Sequence, residues 1–351
     1  MTAGRPPRQP QSRWRQTLLL LLRLAVMGIG LGVVAGTALK LLAPRLAEGL
    51  QTSIGLPGQT PQQQQLDPGR FEPRRELAEL SQRWQQLATA QKELKATAFL
   101  LVLDDGRYAQ LAPDQPMPAA SSIKTPVLVV ALEDLDRGRV KWNDSLQLTK
   151  ELVGGGAGWM ATRPIGTRFP FHEAATEMIR VSDNSATNLV IQRLGGKSAV
   201  NARFQAMGLG ATVINNWLPD LDGTNTTSAR DLARSIALVD TGESLSPRSR
   251  DHFRGIMGTS ATDTLIPLGL LKGLGKEADK PDPELLSLGI TALNKTGDIG
   301  TAYADAALIQ LPSGQRAVAA FMVTGPFNDP RSAELIRAMA GAAAQSLVGR
   351  P

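Results

Sequence analysis

The chain has 351 residues, of which 42% are hydrophobic and 20% charged, with no cysteine and a formal net charge of +6. That balance suits a chain that buries a core and argues against disorder. The lack of cysteine excludes disulfides, a lipid-modified cysteine and a thiol nucleophile, and the two histidines, His172 and His252, leave little for a histidine-rich metal site or a Ser-His-Asp triad.

The positive charge is local. Arg5, Arg8, Arg13, Arg15, Arg23, Lys40 and Arg45 face a single early acid, Glu48, and beyond that point basic and acidic side chains balance. No nucleic-acid partner is therefore expected. Residues 1–16 read as a basic tail and 17–42 as a transmembrane anchor, because the run from Leu18 to Leu39 is interrupted only by Arg23. At about 1.5 Å per residue that run spans roughly 33 Å, enough for a hydrocarbon core of about 30 Å. The arginines ahead of it should stay in the cytoplasm and direct the rest of the chain outward. A cleaved signal peptide ending near Val33-Val34-Ala35 is the alternative; the length of the apolar run favours the anchor. Residues 43–75, rich in Gln, Pro and Gly, read as a flexible linker.

A folded domain is expected over 76–351. Leu77, Leu80, Trp84 and Leu87 recur at helical spacing within 76–94. Ala96 to Leu103 and Tyr108 to Leu111, either side of Asp104-Asp105-Gly106, read as a strand hairpin. The middle, 121–265, reads as mostly helical, with loops at Gly154-Gly155-Gly156 and Asn215 to Thr227. Strands return at Ile290 to Lys295, Tyr303 to Leu311 and Ala317 to Val323, and an alanine-rich helix closes the chain over 331–347. The predicted class is α+β: an antiparallel sheet assembled from both ends of the domain (76–120 and 285–351), flanked by helices, beside a helical lobe over 121–284. The site is expected in the cleft between lobes.

Three motifs stand in order: Ser121-Ser122-Ile123-Lys124 (S-x-x-K), Ser182-Asp183-Asn184 (S-D-N) and Lys295-Thr296-Gly297 (K-T-G). Alone, each has an ordinary reading: a solvated helix lysine, a helix cap, a surface turn. Together, on the expected elements, they resemble the class A β-lactamase family and its penicillin-binding relatives across the whole domain. Ser121 and Lys124 lie one turn apart on a shared helical face, so their side chains can meet. Lys124 can act as a base only if burial and the second cation Lys295 lower its pKa. Pro126 is tolerated because it falls in the first turn of the helix.

The resemblance implies Ser121 as nucleophile, Lys124 as base and Ser182 as proton relay. It implies Asn184, Lys295, Thr296 and Gly297 as substrate-binding residues, and the backbone N–H groups of Ser121 and Asp298 as oxyanion hole. No metal or cofactor is implied. Trp159, after the glycine-rich run, either stacks on substrate or caps the helical lobe.

The resemblance breaks at one residue. Trp217-Leu218-Pro219-Asp220-Leu221-Asp222 matches the family's loop that carries a water-activating glutamate, and Leu218 stands in that glutamate's place. Asp220 and Asp222 are shorter and out of register. The family's substrate-binding arginine after K-T-G is also missing from Thr301 to Asp305. The expected function is β-lactam hydrolysis through an acyl-serine intermediate, with deacylation in question. The alternative is a penicillin-binding, D-alanyl peptidase-like enzyme of peptidoglycan metabolism. Either would sit in a bacterial cytoplasmic membrane with its catalytic domain on the periplasmic side. A scaffold without activity is a third reading, disfavoured because the acylating residues survive together.

Overall fold

The computed structural model describes residues 71–348. The expected tail, the anchor at 17–42 and nearly all of the linker lie outside the described residues.

In chain order, β1 (Arg75–Glu76) leads into α1 (Ala78–Thr89), β2 (Lys95–Val102) and β3 (Arg107–Leu111). A two-residue strand, β4 (Met117–Pro118), and a 3-10 turn, Ala120–Ile123, precede α2 (Lys124–Asp136). Next come β5 (Ser145–Gln147), β6 (Arg168–Pro170), α3 (Phe171–Arg180), α4 (Asn184–Arg193) and α5 (Gly196–Ala206). They are followed by β7 (Thr226–Thr227), α6 (Ala229–Asp240), α7 (Pro247–Met257), α8 (Ile266–Gly273) and α9 (Pro281–Ser287). The chain ends with β8 (Thr291–Asp298), β9 (Ala302–Gln310), β10 (Arg316–Thr324) and α10 (Pro330–Val348).

The main sheet has the order β1-β3-β2-β10-β9-β8, antiparallel except for the short parallel β1–β3 pair. It is thus built from both ends of the domain, as the sequence order implies. Both faces are covered. Along β2, Phe99 and Leu101 join the core shared with the helical lobe, whereas Ala98, Leu100 and Val102 join a second core under α1, α8 and α10. β10 alternates the same way, with Val318, Ala320 and Met322 on one side and Ala319, Phe321 and Val323 on the other. Side chains on a strand alternate between faces, so a sheet buried on both reads as an unbroken apolar run. Trp84 of α1 packs edge-on against Phe321 with ring centroids 5.3 Å apart, and its indole N–H donates to the Met339 carbonyl at 2.9 Å.

One small ribbon, β5–β6, interrupts the stretch read as helical; the other, β4–β7, pairs Met117–Pro118 with the end of the loop read over Asn215 to Thr227. The helical lobe also closes earlier than its expected limit of 284. Leu265, Ile266, Leu270, Leu271 and Leu285 pack into the second core, so α8 and α9 belong to the layer outside the sheet. The mixed α+β architecture leaves β8, which carries K-T-G, at the sheet edge facing the 3-10 turn that carries Ser121.

Candidate active site

Ser121 lies in the 3-10 turn and Lys124 opens α2. In a 3-10 turn, residues three apart eclipse one another, which brings the two side chains closer than an α-helix would. Lys124 Nζ is 2.9 Å from Ser121 Oγ. Ala120, just before the serine, has φ 47°, a left-handed conformation that is strained for a residue with a Cβ.

Lys124 is fully buried. Besides Ser121, its Nζ meets the Ser182 carbonyl oxygen at 2.7 Å, Ser182 Oγ at 3.0 Å and Asn184 Oδ1 at 2.8 Å. Burial, and then the nearby charge of Lys295, hold its pKa well below the ordinary lysine value, against a smaller opposing effect of Asp183. The surroundings suit a neutral amine. Its two N–H groups match the two oxygens that can only accept, Ser182 O and Asn184 Oδ1. The lone pair is left for a proton from one of the hydroxyls.

Ser182 is not helical. It occupies the break between α3 and α4 with φ 60°, and this turn aims both its carbonyl and its hydroxyl at Lys124. The neighbouring Asp183 is the helix cap that the motif also suggested. Its Oδ1 accepts from Ala186 N at 2.9 Å, and its Oδ2 accepts from Trp159 N at 2.7 Å and Met160 N at 2.8 Å. S-D-N therefore divides: Asp183 builds the corner, and Ser182 and Asn184 face the lysine.

Asn184 Nδ2 donates to the Gly155 carbonyl at 2.8 Å, and Ser185 Oγ accepts from Gly154 N at 2.9 Å. The glycine-rich run is thereby strapped to the S-D-N corner, and Gly156 and Ala157 line the cleft with Ser121, Asn184, Leu218 and Asp298. Trp159 takes the capping role. Its indole N–H donates to Glu177 Oε2 at 2.7 Å, its ring meets Phe169 edge-on, and it is absent from the cleft wall. His172 and His252 lie beside Trp142, and neither lines the cleft.

On β8, Lys295 is fully buried, with its pKa lowered by burial to about 8 despite the opposing charge of Asp305. Its Nζ donates to the Thr296 carbonyl at 2.7 Å. Gly297 is required by space: a Cβ there would lie 2.7 Å from Ser122 N and 2.9 Å from Ser121 N. β8 thus runs against the backbone N–H groups at the nucleophile. Ser121, Asn184 and Asp298 line the cleft, Lys124 and Ser182 are hydrogen-bonded to them or to each other behind it, and Gly297 backs onto the Ser121 and Ser122 N–H groups; Lys295 and Thr296 flank Gly297 on β8 and are not themselves in the cleft wall. The arrangement is equipped to deprotonate a serine, stabilise an oxyanion and hold an anionic substrate group.

The loop facing Ser121 departs as the sequence suggested. Leu218 lines the cleft with its side chain buried. Asp220 does not replace a catalytic glutamate, because its carboxylate is committed within its own loop: Oδ2 accepts from Asn225 N at 2.6 Å and Oδ1 from Thr224 Oγ1 at 2.8 Å. Asp222 is exposed. Across from K-T-G, β9 places Asp305, Ala304 and Tyr303 opposite Thr296, Gly297 and Asp298, so no arginine stands there.

Sequence reasoning missed three residues. Asn188 clamps Leu218. Asp305, buried with its carboxyl pushed up to about 7 by burial, accepts from Ile266 N at 2.8 Å and Asn294 Nδ2 at 3.0 Å. Thr262 Oγ1 sits 2.8 Å from Thr296 Oγ1. None belongs to a motif, and only the extra Asp inside an otherwise apolar strand was a usable signal.

A model of the beta-lactamase enzyme family matches residues 79–347. The chain belongs to the β-lactamase enzyme family. Among solved structures, this family member is similar to PBP-A at 42% identity and a TM-score of 0.73, over 80% of this chain and 99% of that one. A Leu-to-Glu variant of PBP-A, solved as an acyl-enzyme complex with penicillin G, matches at the same identity and TM-score over 79% of this chain. A β-lactamase from Streptomyces albus G is 30% identical over 156 residues, 41% of this chain. The match spans only half the length of that curated relative.

Proposed function

We propose that this β-lactamase-family member acylates Ser121 with β-lactams and releases the product slowly. The observation that carries the reading is the buried, four-oxygen environment of Lys124, which suits a neutral amine. Ser121 Oγ attacks the lactam carbonyl carbon while its proton passes to Lys124 Nζ, and the oxyanion lies against the N–H groups of Ser121 and Asp298. The C–N bond breaks as the proton moves from Lys124 through Ser182 Oγ to the departing nitrogen, leaving an ester on Ser121. Lys295 and Thr296 hold the substrate carboxylate, and Asn184 holds the amide side chain. Hydrolysis of the ester needs a base for water, and Leu218 offers none. Intact-mass spectrometry after exposure to penicillin G tests this: the expected result is a covalent adduct on Ser121 that persists after free drug is removed. A steady-state nitrocefin assay that shows rapid turnover would overturn the slow release.

A second reading takes a D-alanyl peptide of peptidoglycan as the natural acyl donor. It is favoured by Leu218 and by the commitment of Asp220 to its own loop; likeness to PBP-A also supports it. Release of D-alanine from a D-alanyl-D-alanine peptide, lost in Ser121→Ala, is the expected outcome.

The apolar run from Leu18 to Leu39 and the arginines ahead of it support a single-pass anchor at 17–42 in the cytoplasmic membrane, with the catalytic domain outside. Mass measurement of the mature N-terminus in the membrane fraction checks this reading. Cleavage near Ala35 overturns it.

A further inference from the structure

The arginine that the family would set near the substrate carboxylate is absent, yet β8 is not left with Thr296 alone. Thr262, in the segment between α7 and α8, places Oγ1 2.8 Å from Thr296 Oγ1, and Ser260 Oγ lies 3.3 Å from Thr262 Oγ1. The segment is fixed there by its backbone: the Thr262 carbonyl accepts from Asn294 Nδ2 at 3.0 Å. Asn294 is in turn held by the buried Asp305 carboxyl, which also accepts from Ile266 N at the start of α8. Thr262 is therefore anchored independently of its hydroxyl, one hydrogen bond away from K-T-G.

We propose that Thr262 is a positioning residue that sets the Thr296 hydroxyl to donate to the substrate carboxylate, and so makes selectivity for an anionic substrate depend on a hydroxyl chain. The inference rests on the acylation reading above. A hydroxyl has one proton and can accept two hydrogen bonds. When Thr262 donates to Thr296 Oγ1, the Thr296 proton is free to point into the cleft; Ser260, donating to Thr262, extends the chain. Each donor polarises the next towards the anion, which strengthens the last bond beyond what an isolated hydroxyl gives. Without Thr262, no other side-chain hydrogen bond among the described residues orients the Thr296 hydroxyl. Lys295, its neighbour on β8, supplies charge beside it, so the hydroxyl chain tunes carboxylate recognition and does not replace that charge.

Comparison of a carboxylate with its ester isolates this role. Acylation rate constants of the full chain are measured by intact mass with penicillin G and with penicillin G methyl ester. In Thr262→Val, close in shape but without the hydroxyl, the acid-to-ester rate ratio is expected to fall about threefold to tenfold, the range for one hydrogen bond acting on a charged group at second hand. Thr262→Ser, which restores the hydroxyl, is expected to keep the wild-type ratio. Thr262→Ala reads the same ratio with a smaller side chain and covers a folding defect in the valine variant. A wild-type ratio in the valine and alanine variants overturns the proposal, as does a serine variant that falls as far as they do. A wild-type chain that forms no adduct with either compound instead overturns the acylation reading, and this inference with it.

Discussion

Asn188 holds Leu218 by both polar groups of its backbone: Leu218 N donates to Asn188 Oδ1 at 2.9 Å, and Asn188 Nδ2 donates to the Leu218 carbonyl at 2.7 Å. The backbone at 218 is thus fixed from α4, the helix that also presents Asn184, in the wall of the cleft that holds Ser121. A carboxylate placed at 218 would be held in that wall. Leu218→Glu is expected to shorten the lifetime of the penicillin adduct at least tenfold, the low end of what a positioned general base contributes. Decay of the adduct, followed by intact mass after removal of free drug, checks it. An unchanged lifetime would mean that residue 218 does not face the acyl ester.

Among the described residues, Lys124 is the amine hydrogen-bonded to Ser121 Oγ. Lys295 is the other buried amine of the site, but its Nζ is turned to the Thr296 carbonyl. Lys124→Ala and Ser121→Ala are each expected to abolish penicillin labelling, with a loss of at least a hundredfold in acylation rate for the lysine variant. Labelling of either variant at the wild-type rate would refute the assigned roles.

The two lysines predict a bell-shaped pH profile. Acylation needs Lys124 neutral, and burial together with Lys295 lowers its pKa well below the ordinary value, so the rate rises with pH as that proton leaves. Carboxylate binding needs Lys295 charged, and its pKa is lowered to about 8. The rate with penicillin G is therefore expected to fall again above about pH 8. The methyl ester has no carboxylate for Lys295 to hold, and its profile is expected to lack that falling limb. Stopped-flow acylation of both compounds across pH 5–10 decides the matter. A falling limb of equal depth with the ester would detach Lys295 from carboxylate binding. The same lowered pKa bears on stability. The unfolded chain holds the Lys295 proton up to its ordinary pKa while the folded one releases it near 8, so this group's burial cost eases as pH rises through that window.

What the sequence made legible follows from what is local. β2 and β10 show themselves as apolar runs between turns, and S-x-x-K, S-D-N and K-T-G each fix a backbone and a chemistry within a few residues. Leu218 was identifiable as a missing carboxylate because its loop keeps the neighbouring residues in register. The 3-10 geometry at Ser121 and the helix break at Ser182 were not legible, because each is imposed by packing between segments far apart in the chain. The same holds for α8, whose leucines fit a helical lobe as well as a sheet cover until α10 is seen against them. Thr262 and Asn188 escaped because a hydroxyl or an amide becomes functional only through the partner that the fold brings to it.

Asp183 offers the sharpest test of how the site is held in place. Its side chain is fully buried and satisfies three backbone N–H groups: Ala186 at the start of α4, and Trp159 and Met160 at the end of the glycine-rich run. Asp183→Ala leaves all three without that acceptor in a closed corner, where each unmet donor costs about 1–3 kcal/mol before relaxation. With part of that recovered by water, a destabilisation of about 3 kcal/mol is expected, read as a lower urea midpoint. The Ser182 turn is held by the same corner, so the variant's folded fraction is also expected to acylate more slowly. Asp183→Asn keeps one acceptor oxygen and should fall between the two in both measurements. If Asp183→Ala unfolds at the wild-type midpoint, the corner is held by something other than this carboxylate.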